Sequence, residues 1–200
     1  MMAFDYWCHR ADWINIMVFH FNISKTIQAS VVLLKTESAR RMSRLRLLKL
    51  LYIADRESLA DRARSITGDR GIAMDHGPVL SNTYNLIKGE DYLSTAWEKY
   101  VRNEGREIVL VSDPGVGALS RYEIAKLHDV AQRYQDQNDW DVAEVTHTFE
   151  EWIKNKPRKG SSKIIPEDDI LTATGTLHLK EKITADAAAE ASAARLLEAM

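Results

Sequence analysis

The chain has 200 residues, 45% apolar and 28% charged, the composition of a globular protein with enough length to bury a real core in a single domain. Its 27 Lys and Arg against 29 Asp and Glu leave a formal charge of -2, which gives no electrostatic reason for wholesale binding to nucleic acid or to an anionic membrane. The single cysteine, Cys8, excludes an internal disulfide framework and any multi-cysteine zinc site and suits a reducing cytoplasm. No apolar run approaches the ~20 residues that span a bilayer, and Met1 to Ile16 carries Asp5, His9, Arg10 and Asp12 where a signal peptide needs an apolar segment. A cytoplasmic protein without a membrane partner is expected.

The first sixteen residues combine Tyr6, Trp7 and Trp13 with scattered charges and show no period; they read as an unassigned N-terminal extension, with Met17 as an alternative start. Asn22 or Ser24 caps a first helix over about Ser24 to Glu37, where Ile27, Val31 and Leu34 form an apolar stripe. A second helix, about 43–60, is apolar nearly all round: Leu45, Leu48, Leu51 and Leu59 mark one face, and Leu47, Leu50, Ile53 and Ala54 fill most of the rest. Such a helix belongs at the centre of a bundle. Lys49 and Asp55 sit inside it, six residues apart and so about 240° round the helix, too far apart to pair. Lys49 is expected to run its stem along the core and bring its ammonium to water or an acidic neighbour, and Asp55 to accept from the Gly68 to Pro78 loop.

Gly68 and Gly71 bracket that loop, and Pro78 stands at the first position of a short helix that Gly89 closes after Lys88. Asn103-Glu104-Gly105 divides two β-rich runs, predicting a β-hairpin at about 98–112. Ser120-Arg121-Tyr122-Glu123 is a capping box opening a helix through Ile124, Leu127, Val130, Ala131 and Tyr134. One or two short helices follow in Asp141 to Ile153, then a basic linker or exposed loop from Lys154 to Lys163. The tail ends in an alanine-rich helix capped by Thr184, whose Ala189, Ala193, Leu196, Leu197 and Met200 are available to dock on the body or on a partner. The fold class is mainly α: a compact helical bundle around the central helix, with one small hairpin.

Catalytic signatures are missing. Gly115-Val116-Gly117 lacks the lysine of a phosphate loop and reads as a turn. The histidines at 9, 20, 76, 128, 147 and 178 have no paired-ligand spacing, and neither Ser81 nor Ser120 lies in a nucleophile elbow. No metal and no cofactor are expected. The strongest electrostatic feature is the run Arg40, Arg41, Arg44, Arg46 and Lys49, in which Arg40, Arg44 and Arg41 would share a helix face. Without interleaved aromatics this reads as a solvated or protein-facing surface, and nucleic acid is disfavoured. His76, before Gly77-Pro78, reads as a loop-fixing residue rather than a catalytic one.

Taken together, KLLYIAD (Lys49, Leu50, Tyr52 and Asp55 among them), Ser65 to Asp69, His76-Gly77-Pro78-Val79 with Tyr84, Leu119-Ser120, and Val145-Thr146-His147 with Trp152 resemble the Panacea domain, the SocA-like antitoxin domain often found near prophage genes. The resemblance covers roughly Phe19 to Ile170. It implies a mainly helical fold with a small β element and a non-catalytic antitoxin of a type II pair, binding its toxin protein directly. One described mode in the family delivers the toxin to a protease, so a protease is a further candidate partner. A DNA-binding regulator using Arg40, Arg41 and Arg44 is the other alternative. The organisation expected is an extension (1–16), the antitoxin domain (17–170) and a C-terminal helical extension (171–200), in an oligomeric state the sequence leaves open.

Overall fold

The computed structural model describes residues 18–198, so the expectations placed on residues 1–16, on Met17 and on Met200 fall outside it. Helix α1 (Ile23–Thr36) begins where the Asn22 side chain accepts from Lys25 N–H. A three-residue strand, β1 (Arg41–Ser43), leads directly into α2 (Arg44–Arg62), whose N-cap Ser43 accepts from Arg46 N–H. The hairpin β2 (Gly71–Met74) and β3 (Gly77–Leu80) precedes α3 (Ser81–Lys88) and the short α4 (Ser94–Glu98). A second hairpin follows, β4 (Val101–Glu104) and β5 (Glu107–Leu110), then α5 (Arg121–Arg133), α6 (Asp139–His147) and α7 (Glu150–Asn155). The chain closes with β6 (Lys163–Ile164), α8 (Glu167–Ala173), a 3-10 turn at Leu177–Leu179 and α9 (Lys180–Glu198).

The fold is mainly α, as expected. Helix α2 packs against α1, α5, α6 and β3 and buries everything from Arg46 to Asp55. The apolar residues on all its sides are thereby accounted for. The main core joins Leu33, Leu34, Leu47, Leu50, Leu51 and Ile53 to Trp97, Ile108, Leu127 and Val142. A smaller core gathers Phe19, Leu59, Ala73, Trp152, Ile165, Ile170, Leu171 and Ile183 under the C-terminal elements. Two three-stranded antiparallel sheets flank the helices, in the orders β1-β5-β4 and β3-β2-β6.

Four local expectations are corrected. Pro78 is in β3, paired with Ala73, and the helix begins at Ser81; β3 is a sheet edge, where a missing N–H is tolerated as readily as at a helix start. Gly71 to Met74, within the expected loop, is the middle strand of the same sheet, and the predicted linker ends in β6, which pairs with it. The hairpin turn falls at Gly105-Arg106, and Glu98, at the expected start of the hairpin, is the last residue of α4. Finally, α9 starts at Lys180; the Thr184 hydroxyl donates to Lys180 O inside the helix and caps nothing.

The capping box at Ser120 and Glu123 is present with both reciprocal bonds. On α9 the inward residue is Ile183, while Ala189, Ala193 and Leu196 are exposed.

Candidate functional site

The residues singled out from sequence converge on one hairpin and the helices beneath it. Lys49 is fully buried, and its Nζ donates to Pro78 O at 2.8 Å. The expectation that it reaches water or an acidic neighbour is therefore wrong: its acceptor is a backbone carbonyl. Burial pushes the amine down to about 7. Gly77, at φ +90°, sits on top of it, and a Cβ there would stand 2.4 Å from Thr146 Oγ1, 2.8 Å from Lys49 Nζ and 3.1 Å from His147. Glycine supplies both the left-handed backbone and the space.

Trp152 ties the other strand by donating from Nε1 to Met74 O at 3.0 Å, and His147 stacks on the Trp152 ring with centroids 4.4 Å apart. His147 Nδ1 lies 3.2 Å from Glu144. Thr146 is buried and donates to Ala143 O. The three sequence blocks that begin with Lys49, Gly77 and Thr146 thus form one contiguous clamp on the β2–β3 hairpin.

One turn further along α2, Tyr52 donates to Glu151 Oε1 at 3.2 Å, and Arg56 Nε donates to the same oxygen at 2.9 Å. Burial, then the adjacent Glu151, raises the Tyr52 hydroxyl well above its ordinary pKa. Arg56 also lies over the Phe149 ring. Asp55 accepts from Ile66 N–H at 2.8 Å, Thr67 N–H at 2.9 Å, and the hydroxyls of Ser65 and Thr67. Burial pushes its carboxyl up to about 6, against the pull of those donors. Its partners are residues 65–67, just before the stretch expected.

A second buried carboxylate, Asp69, holds the start of α3 through Asn82 N–H, Thr83 N–H and the Thr83 hydroxyl. In the sequence it is only the last residue of the Ser65 to Asp69 motif. The signal available was its place in Thr-Gly-Asp, a turn-forming triplet.

The remaining candidates separate by exposure. Leu50 and Val79 are core residues, and Tyr84 is half-buried, with Lys88 Nζ 5.4 Å from its ring centre. His76 is exposed at the hairpin tip, its ring edge-on to Trp140. Asp55, His76 and His147 each contact different groups, and no hydrogen bond joins them. Among the described residues no cluster of His, Cys, Asp or Glu is placed to hold a metal ion, and no helix is long and apolar enough to cross a membrane.

The arginine face is a further correction. Arg40 occupies a left-handed turn at φ +51°, Arg41 lies on β1 and pairs with Glu104 and Glu107, and Arg44 opens α2. They share no helix face. Arg46, from the same run, is buried and donates to Tyr134 O and Gln137 O at 2.8 Å, beyond the last turn of α5.

A family model described as "Antitoxin SocA-like, Panacea domain" matches residues 47–153, just over half the chain. The chain belongs to the SocA-like Panacea domain family. Every motif residue from Lys49 to Trp152 lies inside the match, whereas Arg40, Arg41 and Arg44 lie outside it. The match is narrower than the Phe19 to Ile170 span of the resemblance. The match spans most of α2, both hairpins, α3 to α6 and the first part of α7, and leaves out β1 and the elements after α7. Neither the curated proteins nor the solved structures yielded a match to this chain.

Proposed function

We propose that this Panacea protein is the antitoxin of a type II pair and neutralises a toxin protein by binding it directly, without catalysis. The observation that carries the reading is the family match over residues 47–153. The inward orientation of the motif residues supports it: Lys49, Tyr52, Asp55, Gly77, Thr146 and Trp152 are buried, and their contacts are to other parts of this chain, so they serve a scaffold. A scaffold whose distinctive residues are consumed internally leaves recognition to the outer surface, in keeping with a family defined by antitoxin activity.

We further propose that residues 17–170 are the antitoxin unit, with 1–16 and 171–200 as extensions to it, and that it works in the cytoplasm. Delivery of the toxin to a protease is the finer alternative. A DNA-binding role draws no support from the arginines, since Arg41 is already paired with two carboxylates.

The test is growth. Inducing the protein encoded by the adjacent gene should arrest cells, and co-expressing this chain should restore growth while the two proteins co-purify. Continued arrest without co-purification overturns the reading. Rescue accompanied by disappearance of the toxin protein, lost in a protease-deficient strain, selects delivery over masking.

A further inference from the structure

Among the described elements, α9 packs closely only against the 3-10 turn at Leu177–Leu179, its neighbour in the chain. Ile183 is its fully buried side chain, set in the smaller core. From Ala185 to Leu196 the half-buried positions are Asp186, Ala187, Glu190, Ala191 and Ala194, one stripe at helical spacing. Leu196, the large apolar residue of that span, is 70% exposed. The stripe lines a groove of about 980 Å³ whose other walls include Phe21, the 64–68 loop, Leu93 and Ala118. Alanine methyls bury little apolar area, so this contact stabilises the docked helix only slightly.

Two ion pairs add to it. Arg64 and Asp186 stand 3.5 Å apart with both side chains exposed, a pair that contributes little. Glu190 pairs with Lys25, in the first turn of α1, and the buried Lys25 amine also donates to Glu123 at 2.8 Å. Glu123 is itself buried and belongs to the capping box of α5. Lys25 therefore holds a second carboxylate within the body. When Glu190 leaves, no buried charge loses its last partner, and the large penalty for breaking a buried ion pair does not arise.

We infer that α9 beyond Ile183 is a strap that lifts from this groove and closes on it while the rest of the fold stays intact, with Ile183 as the pivot and Glu190 on Lys25 as the latch. The inference does not depend on the antitoxin reading. Helices shorter than ~12–15 residues are marginal alone in water, and the segment beyond the pivot is of that order, so its amide hydrogens exchange each time it lifts. Its alanines favour the helix again on closing. Lifting bares the lining at Phe21 and the 64–68 loop, so the latch sets how much of the time the groove stands open.

The test is hydrogen exchange of the purified full chain, read by mass spectrometry on peptides from α9 and α2. The amides from Ala187 to Glu198 should exchange at least about 100-fold faster than those from Leu47 to Ile53, which open only with global unfolding. Glu190→Gln should speed exchange in α9 a further ~3-fold, the scale of one partly exposed ion pair. Ala187→Leu, which places a larger apolar side chain in the groove, should slow it about 5-fold. Ala189→Leu, on the exposed side of the same helix, should leave it unchanged. Exchange in α2 should match the wild type in all three variants. Equal rates in wild-type α9 and α2 overturn the strap, since the helix would then open only with the whole fold. A wild-type α9 rate in Glu190→Gln overturns the latch, and equal effects of the two leucine variants overturn the closure of this face on the groove.

Discussion

Lys49 is a cation buried in a protein interior opposite a single carbonyl oxygen, Pro78 O. A buried ammonium loses its hydration without the return of an ion pair, so the neutral amine is favoured and the pKa falls to about 7 from 10.5. Below about pH 7 the lysine is protonated in both folded and unfolded chains. Between about 7 and 10.5 only the unfolded chain holds the proton, so stability rises with pH across that window and is lost as pH falls back from 10.5 to about 7. Urea unfolding at pH 7 and pH 9 should show the wild type gaining about 2 kcal/mol relative to Lys49→Met; parallel profiles would mean that the amine is solvated. Asp55 is the complementary case, a carboxylate with two backbone and two hydroxyl donors. Asp55→Ala strands the N–H groups of Ile66 and Thr67 in the interior and should cost about 3 kcal/mol in the same assay. From sequence, the spacing of Lys49 and Asp55 already showed that they do not pair with each other. Their actual partners were illegible, because Pro78 and residues 65–67 reach them only through the path of the chain after α2.

At the scale of elements, helices with strong local signals were legible and short strands were not. Asn22, the Ser120–Glu123 box and the all-round apolar α2 each carry a physical reason that acts within a few residues. By contrast β1 and β6 have three and two residues, and they exist only because β5 and β2 offer them hydrogen bonds. Gly77-Pro78 satisfied the rules for a helix start and for an edge strand equally, and the tertiary contact with Lys49 marks the outcome. Gly77→Ala should destabilise the domain by about 3 kcal/mol, since its Cβ would meet Thr146 and Lys49 at a left-handed φ. Ser120→Ala, which removes only one side of the capping box, should cost about 1 kcal/mol. Thermal melts of the two variants side by side would check this order, and a reversed order would contradict the clamp described around the hairpin.

For the whole molecule, the family-matched body and the C-terminal helix stand apart in how they are held. Ile183 is buried with Phe19 and Trp152, whereas further along α9 the link to the body includes Lys25 with Glu190 and Arg64 with Asp186. The Arg64–Asp186 pair is exposed and contributes little, and without Glu190 the buried Lys25 keeps its bond to Glu123, so a chain ending after Thr184 should keep its unfolding temperature within a few degrees of the full chain. A large drop would place α9 inside the folding unit. The family was legible because its motif residues are those that build the clamp, and their order along the chain survives without any one of them being distinctive. The contact between Trp140 and His76 was not legible, since the two are 64 positions apart and meet only in the folded molecule. The most direct measurement of the central claim is the dissociation constant between this chain and the protein encoded beside it, both purified. A stable complex below about 1 μM, more than 8 kcal/mol of binding, is the expected result; no association at concentrations about a hundred times higher would contradict it.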